Sequence, residues 1–198
     1  AYYLLFETWP LKAGETILFH AAAGGVGLIA CQWAKAIGAR VIGTAGSDEK
    51  VELALANGCD AVINYRREDF VARVRELTGG RGVDVVYDGV GKDTFEQSLD
   101  CLRPRGLMVS FGNASGPVAI PNLGVLARKG SLYVTRPSMN AYFPTPEAER
   151  KAAGHLFDAI LSGRVKVTIG QRFALADAVE AHRALESRKT IGCSLLLP

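Results

Sequence analysis

Short apolar runs alternate with longer amphipathic stretches through most of the chain. Residues 15–20, Glu15-Thr16-Ile17-Leu18-Phe19-His20, have a continuous apolar centre that predicts a short buried strand. A glycine loop follows. Residues 26–37 then place Ile29, Trp33 and Ile37 on one helical face, with Gly38 positioned to end the helix. The alternation repeats, predicting strands at 40–44, 61–65, 83–87, 107–111 and 131–135 and helices at 48–56, 68–77 and 94–102. Strands that alternate with helices are the sequence form of a parallel sheet covered by helices on both faces. Runs that are apolar throughout suit strands buried on both sides, and right-handed crossovers fix the winding. The expected fold class is α/β, with a doubly wound parallel sheet.

After Pro137 the rhythm changes. Pro144 and Pro146 precede a helix predicted at 147–162, residues 165–173 read as extended, 175–188 as helical and 195–197 as a strand. This tail is not a sixth strand–helix unit. It divides the chain into residues 1–137, a nucleotide-binding domain with its lead-in helix, and residues 138–198, which read as material that packs on another domain. The first residues, Ala1-Tyr2-Tyr3-Leu4-Leu5-Phe6-Glu7, resemble the middle of a helix, with no capping residue before them. The expectation is a fragment boundary with further chain upstream.

The most informative segment is His20-Ala21-Ala22-Ala23-Gly24-Gly25-Val26-Gly27. Set against the dinucleotide fingerprint G-x-G-x-x-G, its key positions are Ala22, Gly24 and Gly27, with alanine in place of the first glycine. Gly24 lets backbone approach a pyrophosphate, and Gly27 lets the helix pack closely on the first strand. Amides around Gly25, Val26, Gly27 and Leu28 then point at the anion with the helix dipole behind them. The loop follows a predicted strand and opens a predicted helix, so the fold is of Rossmann type.

An NAD site places an acidic residue at the end of the second strand to accept from the ribose 2′-OH. Here that region is Thr44-Ala45-Gly46-Ser47-Asp48-Glu49-Lys50. The strand tip is small and neutral, Ser47 can donate to a 2′-phosphate and Lys50 can neutralise it. Asp48 and Glu49 argue the other way, unless they are first-turn acids behind a Ser47 N-cap. The expected cofactor is NADPH. Three further loops follow strands on the same edge and carry the candidates Tyr65, Gly89, Val90, Phe111, Gly112 and Asn113.

Composition narrows the class. Of 198 residues, 48% are hydrophobic and 22% charged, ordinary for a globular domain able to bury a core. The net charge of +3 lacks a dense basic stripe, which argues against nucleic acid. Cys31, Cys59, Cys101 and Cys193 lie far apart, with no metal-ligand spacing, and suit a reducing cytoplasm. No signal peptide or membrane-length apolar run is present. His20, His155 and His182 read as structural, and no Ser/His/Asp grouping or carboxylate pair is legible. No catalytic residue and no metal ligand is therefore assigned, and the chemistry would be the cofactor's.

Several stretches together resemble one family: His20 to Gly27, Val62-Ile63-Asn64-Tyr65-Arg66, Val85-Val86-Tyr87-Asp88-Gly89-Val90-Gly91, residues 99–113, residues 130–137 and Leu185-Glu186-Ser187-Arg188. They are similar to the NADPH-dependent quinone oxidoreductases, the zeta-crystallin-like, zinc-free branch of the medium-chain dehydrogenase/reductases. The resemblance implies a GroES-like substrate domain ahead of this chain, to which the tail returns. It implies cofactor contacts at Gly25, Val26, Ser47, Lys50, Tyr65, Asn113 and Arg188. It also implies hydride transfer from C4 of NADPH to a quinone, with the one- or two-electron outcome open. Reduction of an activated C=C bond by an enoyl or alkenal reductase, and a non-catalytic NADPH-binding sensor or RNA-binding protein, are the alternatives. The edge strand Ser131-Leu132-Tyr133-Val134-Thr135-Arg136 is expected to pair two subunits into a homodimer.

Overall fold

A computed structural model describes residues 1–187 and 190–198. A π-helical turn, Leu4–Thr8, leads in and buries Leu4 and Leu5 completely. The elements then run β1 (Thr16–Phe19), α1 (Gly25–Ile37), β2 (Arg40–Ala45), α2 (Asp48–Ala56), β3 (Ala61–Asn64), α3 (Phe70–Leu77), β4 (Val83–Asp88), α4 (Phe95–Cys101), β5 (Leu102–Ser110), α5 (Gly124–Arg128) and β6 (Tyr133–Thr135). All six strands are parallel, in the order β3-β2-β1-β4-β5-β6. The expected Rossmann-type sheet is therefore observed. Its order reverses between β1 and β4, where a ligand crevice opens in such sheets.

Alternate strand residues feed two apolar cores. On one face Ile17, Phe19, Val41, Val85 and Tyr87 pack with Leu4, Leu5, Trp33 and Ala34. On the other, Leu18, Ile42, Val86 and Met108 pack with Phe70 and Val74 of α3 and Phe95 and Leu99 of α4. Local signals set the helix ends: Ser47 and Asp69 cap α2 and α3, and Gly38 closes α1 in the left-handed conformation.

Below the sheet, Asp84 is nearly buried and receives Arg81, Arg103 and the Thr16 amide, tying β4 to β1 and β5. Burial alone would raise the Asp84 pKa. The hydrogen bonds from Arg81, Arg103 and Thr16 win and hold it below the usual carboxylate range.

Several boundaries differ from the sequence reading. β5 begins at Leu102 rather than 107 and ends before Phe111, and its pairing with β4 shifts register between Val83 and Val85. β6 is only three residues long, because Ser131 has a φ of 55° and cannot extend the strand. β6 is nonetheless the sheet edge that was expected. The short helices α5 and α6 (Met139–Tyr142) had no periodic signal long enough to register.

The tail contains α7 (Pro146–Leu161), β7 (Ile169–Ala174), a 3₁₀ turn (Leu175–Asp177), α8 (Ala178–Glu186) and β8 (Cys193–Leu197). Thr145 caps α7, with Pro146 at its first turn. α7 packs Leu156, Ala159 and Ile160 on the first core. β7 and β8 form their own parallel pair and do not join the main sheet. Leu175, Val179, Leu185, Leu196 and Leu197 of this unit are exposed.

Candidate functional site

The carboxyl ends of β1, β2, β3 and β4 border a cleft of about 980 Å³. Its floor is the turn between β1 and α1. Ala21 takes a φ of 54°, and the Gly24 amide closes the turn on the Ala21 carbonyl at 2.9 Å. The alanine at the first fingerprint position is accommodated by Gly43 on β2, where a Cβ would lie 2.7 Å from that of Ala22. Gly27 cannot carry a side chain: its Cβ would meet the Ala21 and Ala22 carbonyl oxygens at 2.5 and 2.6 Å. Gly24 caps α1, so the amides of Gly25, Val26 and Gly27 stand in the helix's unsatisfied first turn. The Leu28 amide is different. It bonds the Gly24 carbonyl at 2.9 Å, so the first-turn amides left without a helical partner end at Gly27 rather than at Leu28.

The second corner lies at the tip of β2. Ser47 accepts from the Lys50 amide at 3.4 Å as the N-cap, which leaves its hydroxyl hydrogen to donate. Asp48 turns away from the cleft, taking the Asn64 side-chain amide at 2.8 Å and Arg67 at 2.8 Å. The ambiguity left by the two acids is thereby reduced to Glu49, which does line the cleft. Lys50, Tyr65 and Arg66 line the same corner. Partial desolvation lowers the Lys50 pKa; Glu49 pulls it up and Arg66 pushes it down, so two cations face one small space. The Tyr65 hydroxyl lies 2.4 Å from where a Cβ on Gly46 would stand, so Gly46 is what lets the ring fold over the strand tip. Arg66 was missed as a site residue. Its position directly after the β3 tip was the available signal.

The third wall comes from the loops after β4 and β5. Val90, Asp93, Thr94, Gln97 and Ala114 line it. Gly89, Phe111 and Gly112 lie behind this wall: a Cβ on Gly89 would touch the Phe111 ring at 3.0 Å, and one on Gly112 would meet the Gly89 carbonyl oxygen at 2.4 Å. Asn113 is exposed beside Ala114 and accepts from the Gly116 amide. Of the sequence candidates, Gly24, Ser47, Lys50, Tyr65 and Val90 thus line the cleft, while Gly25, Val26, Gly27, Gly89, Phe111, Gly112 and Asn113 are not among its lining residues. Arg188 lies outside the described residues.

A Ser/His/Asp grouping that the sequence did not reveal sits beneath the cleft. His20 is 2% exposed and bonds Thr44 Oγ1 through Nδ1 at 3.0 Å and Ser98 Oγ through Nε2 at 2.9 Å. Ser98 in turn donates to Asp88 at 3.4 Å. The serine lies between the other two and is fully buried, so it is no exposed nucleophile. Burial holds His20 below its ordinary pKa, against the opposing pull of Asp88.

The tail closes the back of the glycine turn. The Gly192 amide donates to Ala23 O at 3.1 Å, Gln32 makes paired hydrogen bonds with the Lys166 backbone, and Thr190 reaches the cleft. Among the described residues no group of three or more His, Cys, Asp or Glu side chains comes together as metal ligands.

Comparison with known proteins places this geometry. The family described as zinc-binding dehydrogenase matches residues 25–150. A quinone oxidoreductase of Salmonella typhimurium is 61% identical over the whole chain, which spans 61% of that relative's length. A 2-haloacrylate reductase of a Burkholderia species is 46% identical, and the chain covers 60% of it. The crystal structure of Escherichia coli quinone oxidoreductase complexed with NADPH superposes with a TM-score of 0.96 at 59% identity, covering all of this chain and 61% of that one.

Proposed function

This chain belongs to the zinc-binding dehydrogenase family, and we propose that it is the cofactor-holding part of an oxidoreductase that passes a hydride from NADPH to a quinone. The observation that carries the reading is the β2 corner, where Ser47, Lys50, Tyr65 and Arg66 line one end of a cleft floored by the Gly24 turn. Two cations and a hydroxyl donor match a 2′-phosphate, and the Gly24–Gly27 cradle, which a Cβ would fill, matches a pyrophosphate. When bound, NADPH supplies the hydride. The amides of Gly25, Val26 and Gly27 would hold the pyrophosphate. Val90, Gly89, Phe111, Gly112 and Asn113 would shape the opposite half, and Arg188, outside the described residues, is the further cofactor contact that the family resemblance implies. The family's description names zinc; among the described residues no three His, Cys, Asp or Glu side chains come together to hold one.

The exposed apolar face of β7, α8 and β8 supports a return of residues 138–198 to a substrate-side, GroES-like domain forming the other wall of the cleft. Four free thiols favour a cytoplasmic setting, and among the described residues no helix is long and apolar enough to cross a membrane. The β6 edge, with Tyr133 59% exposed, supports a two-fold dimer formed by antiparallel pairing of this strand with its copy.

The likeness to a 2-haloacrylate reductase supports a second reading, reduction of an activated C=C bond. Steady-state oxidation of NADPH by the full-length protein, with 1,4-benzoquinone and with 2-chloroacrylate, separates the two. Turnover of the quinone is expected; turnover of the haloacrylate alone would replace the first reading with the second. Tight NADPH binding without turnover of either would leave a non-catalytic sensor.

A further inference from the structure

Asp88 is the last residue of β4, and its carboxylate is fully buried at the head of the third wall. One oxygen takes the amides of Val90 at 2.7 Å and Gly91 at 3.0 Å. The other takes Thr94 Oγ1 at 2.7 Å and Ser98 Oγ at 3.4 Å. A carboxylate only accepts, so the single Ser98 proton points to Asp88, and the Ser98 oxygen accepts from His20 Nε2–H. In the neutral imidazole, Nδ1 is then left to accept from Thr44 Oγ1. The links from Thr44 at the tip of β2 through His20 and Ser98 all run toward Asp88, which also accepts from the loop after β4. Thr44 and His20 at the tips of β2 and β1, and Val90 and Thr94 after β4, all line the cleft.

The loop that Asp88 holds also carries its neighbour. Val90 O accepts from the Ser115 amide at 2.8 Å, Gly89 O accepts from the Ala114 amide at 3.2 Å, and Gly91 bridges to Gly116. Releasing Asp88 would therefore loosen both loops of the third wall at once.

We propose that Asp88 is a positioning residue for the nicotinamide half of the cofactor, and that Ser98 and His20 link its loop to the adenosine half, so that one buried chain pre-forms both ends of the cleft. Nicotinamide is placed on this side because the pyrophosphate sits at the first turn and the 2′-phosphate at β2. The inference rests on the proposed NADPH site.

The test compares NADPH with 2′,5′-ADP, which carries the adenosine half alone, by calorimetry on the intact protein. Asp88→Ala is expected to weaken NADPH by about tenfold or more while leaving 2′,5′-ADP within about twofold, and Asp88→Asn to recover most of the loss. Ser98→Ala, which strands His20, is expected to weaken both ligands. Equal losses for both ligands in Asp88→Ala, or no loss for either, would overturn the proposal. If Asp88→Ala does not fold, Thr94→Val removes one of its donors at a partly exposed position and is held to the same NADPH-selective loss. Should the unmodified protein bind neither ligand, the cofactor reading itself fails. Amide exchange then still decides on Asp88: Val90 and Gly91 must be protected in the unmodified protein and lose that protection in Thr94→Val.

Discussion

Replacing Gly27 with alanine would put a methyl group 2.5 and 2.6 Å from the carbonyl oxygens of Ala21 and Ala22, and 2.7 Å from the Ala22 carbonyl carbon. Comfortable contact between such atoms lies near about 3.5 Å, so α1 or the turn must move by close to an ångström. Neither moves freely. Ala22 is pressed against Gly43, and α1 is held by Trp33, Ala34 and Cys31 in the first core. Overpacking of this kind costs about 1–3 kcal/mol, and backbone contacts on a buried helix place Gly27→Ala near the upper end. For a chain of this length that is a fall in Tm of about 6–12 °C. Gly24→Ala is the control: its Cβ meets only the Ala21 carbonyl oxygen at 3.2 Å. It should lower Tm by less than about 3 °C yet weaken NADPH, because the methyl occupies the approach to the pyrophosphate. Thermal unfolding followed by circular dichroism, paired with NADPH titration, reads both effects. A Gly27→Ala protein as stable as the parent, or a Gly24→Ala protein that loses stability and keeps its affinity, would refute the division of labour between the two glycines.

Lys50→Ala should weaken NADPH by roughly tenfold, after allowance for the partial exposure of Lys50, and leave NADH nearly unchanged in parallel titrations. Asp84→Ala should destabilise the fold by about 2 kcal/mol in urea unfolding, since the buried Thr16 amide loses its partner. The folded Asp84 pKa is depressed, so its contribution is present above the ordinary carboxylate range and disappears as pH falls through the folded value. The parent's stability should therefore fall in acid, and the Asp84→Ala protein should show a flatter acid limb. Tyr133→Pro should shift the sedimentation coefficient from dimer to monomer, because the ring removes a ladder donor at the edge strand; a parent that is monomeric at high micromolar concentration would sink the dimer proposal.

Much of this protein could be read locally. Strand–helix alternation is a periodicity within a few residues, so the parallel sheet, the Gly24 turn, the Ser47 cap and the edge position of β6 are all legible in the sequence. Boundaries were less so. Ser131 fell inside an apolar run, and only the left-handed backbone at that residue shows that β6 starts later.

What the tertiary structure decided is convergence between segments far apart in sequence. Gly43 makes room for Ala22, which is why a fingerprint lacking its first glycine still forms the turn. Asp48 is drawn off by Asn64 and Arg67, and Arg66 arrives beside Lys50, so the charge at this corner of the cleft is set by β3 as much as by β2. His20, Ser98 and Asp88 form one chain only because β1, α4 and β4 meet under the cleft. Propensity and periodicity are written in neighbouring residues and fix the elements. Hydrogen-bond partners and excluded volumes belong to pairs that the sheet order brings together, and no local pattern encodes those.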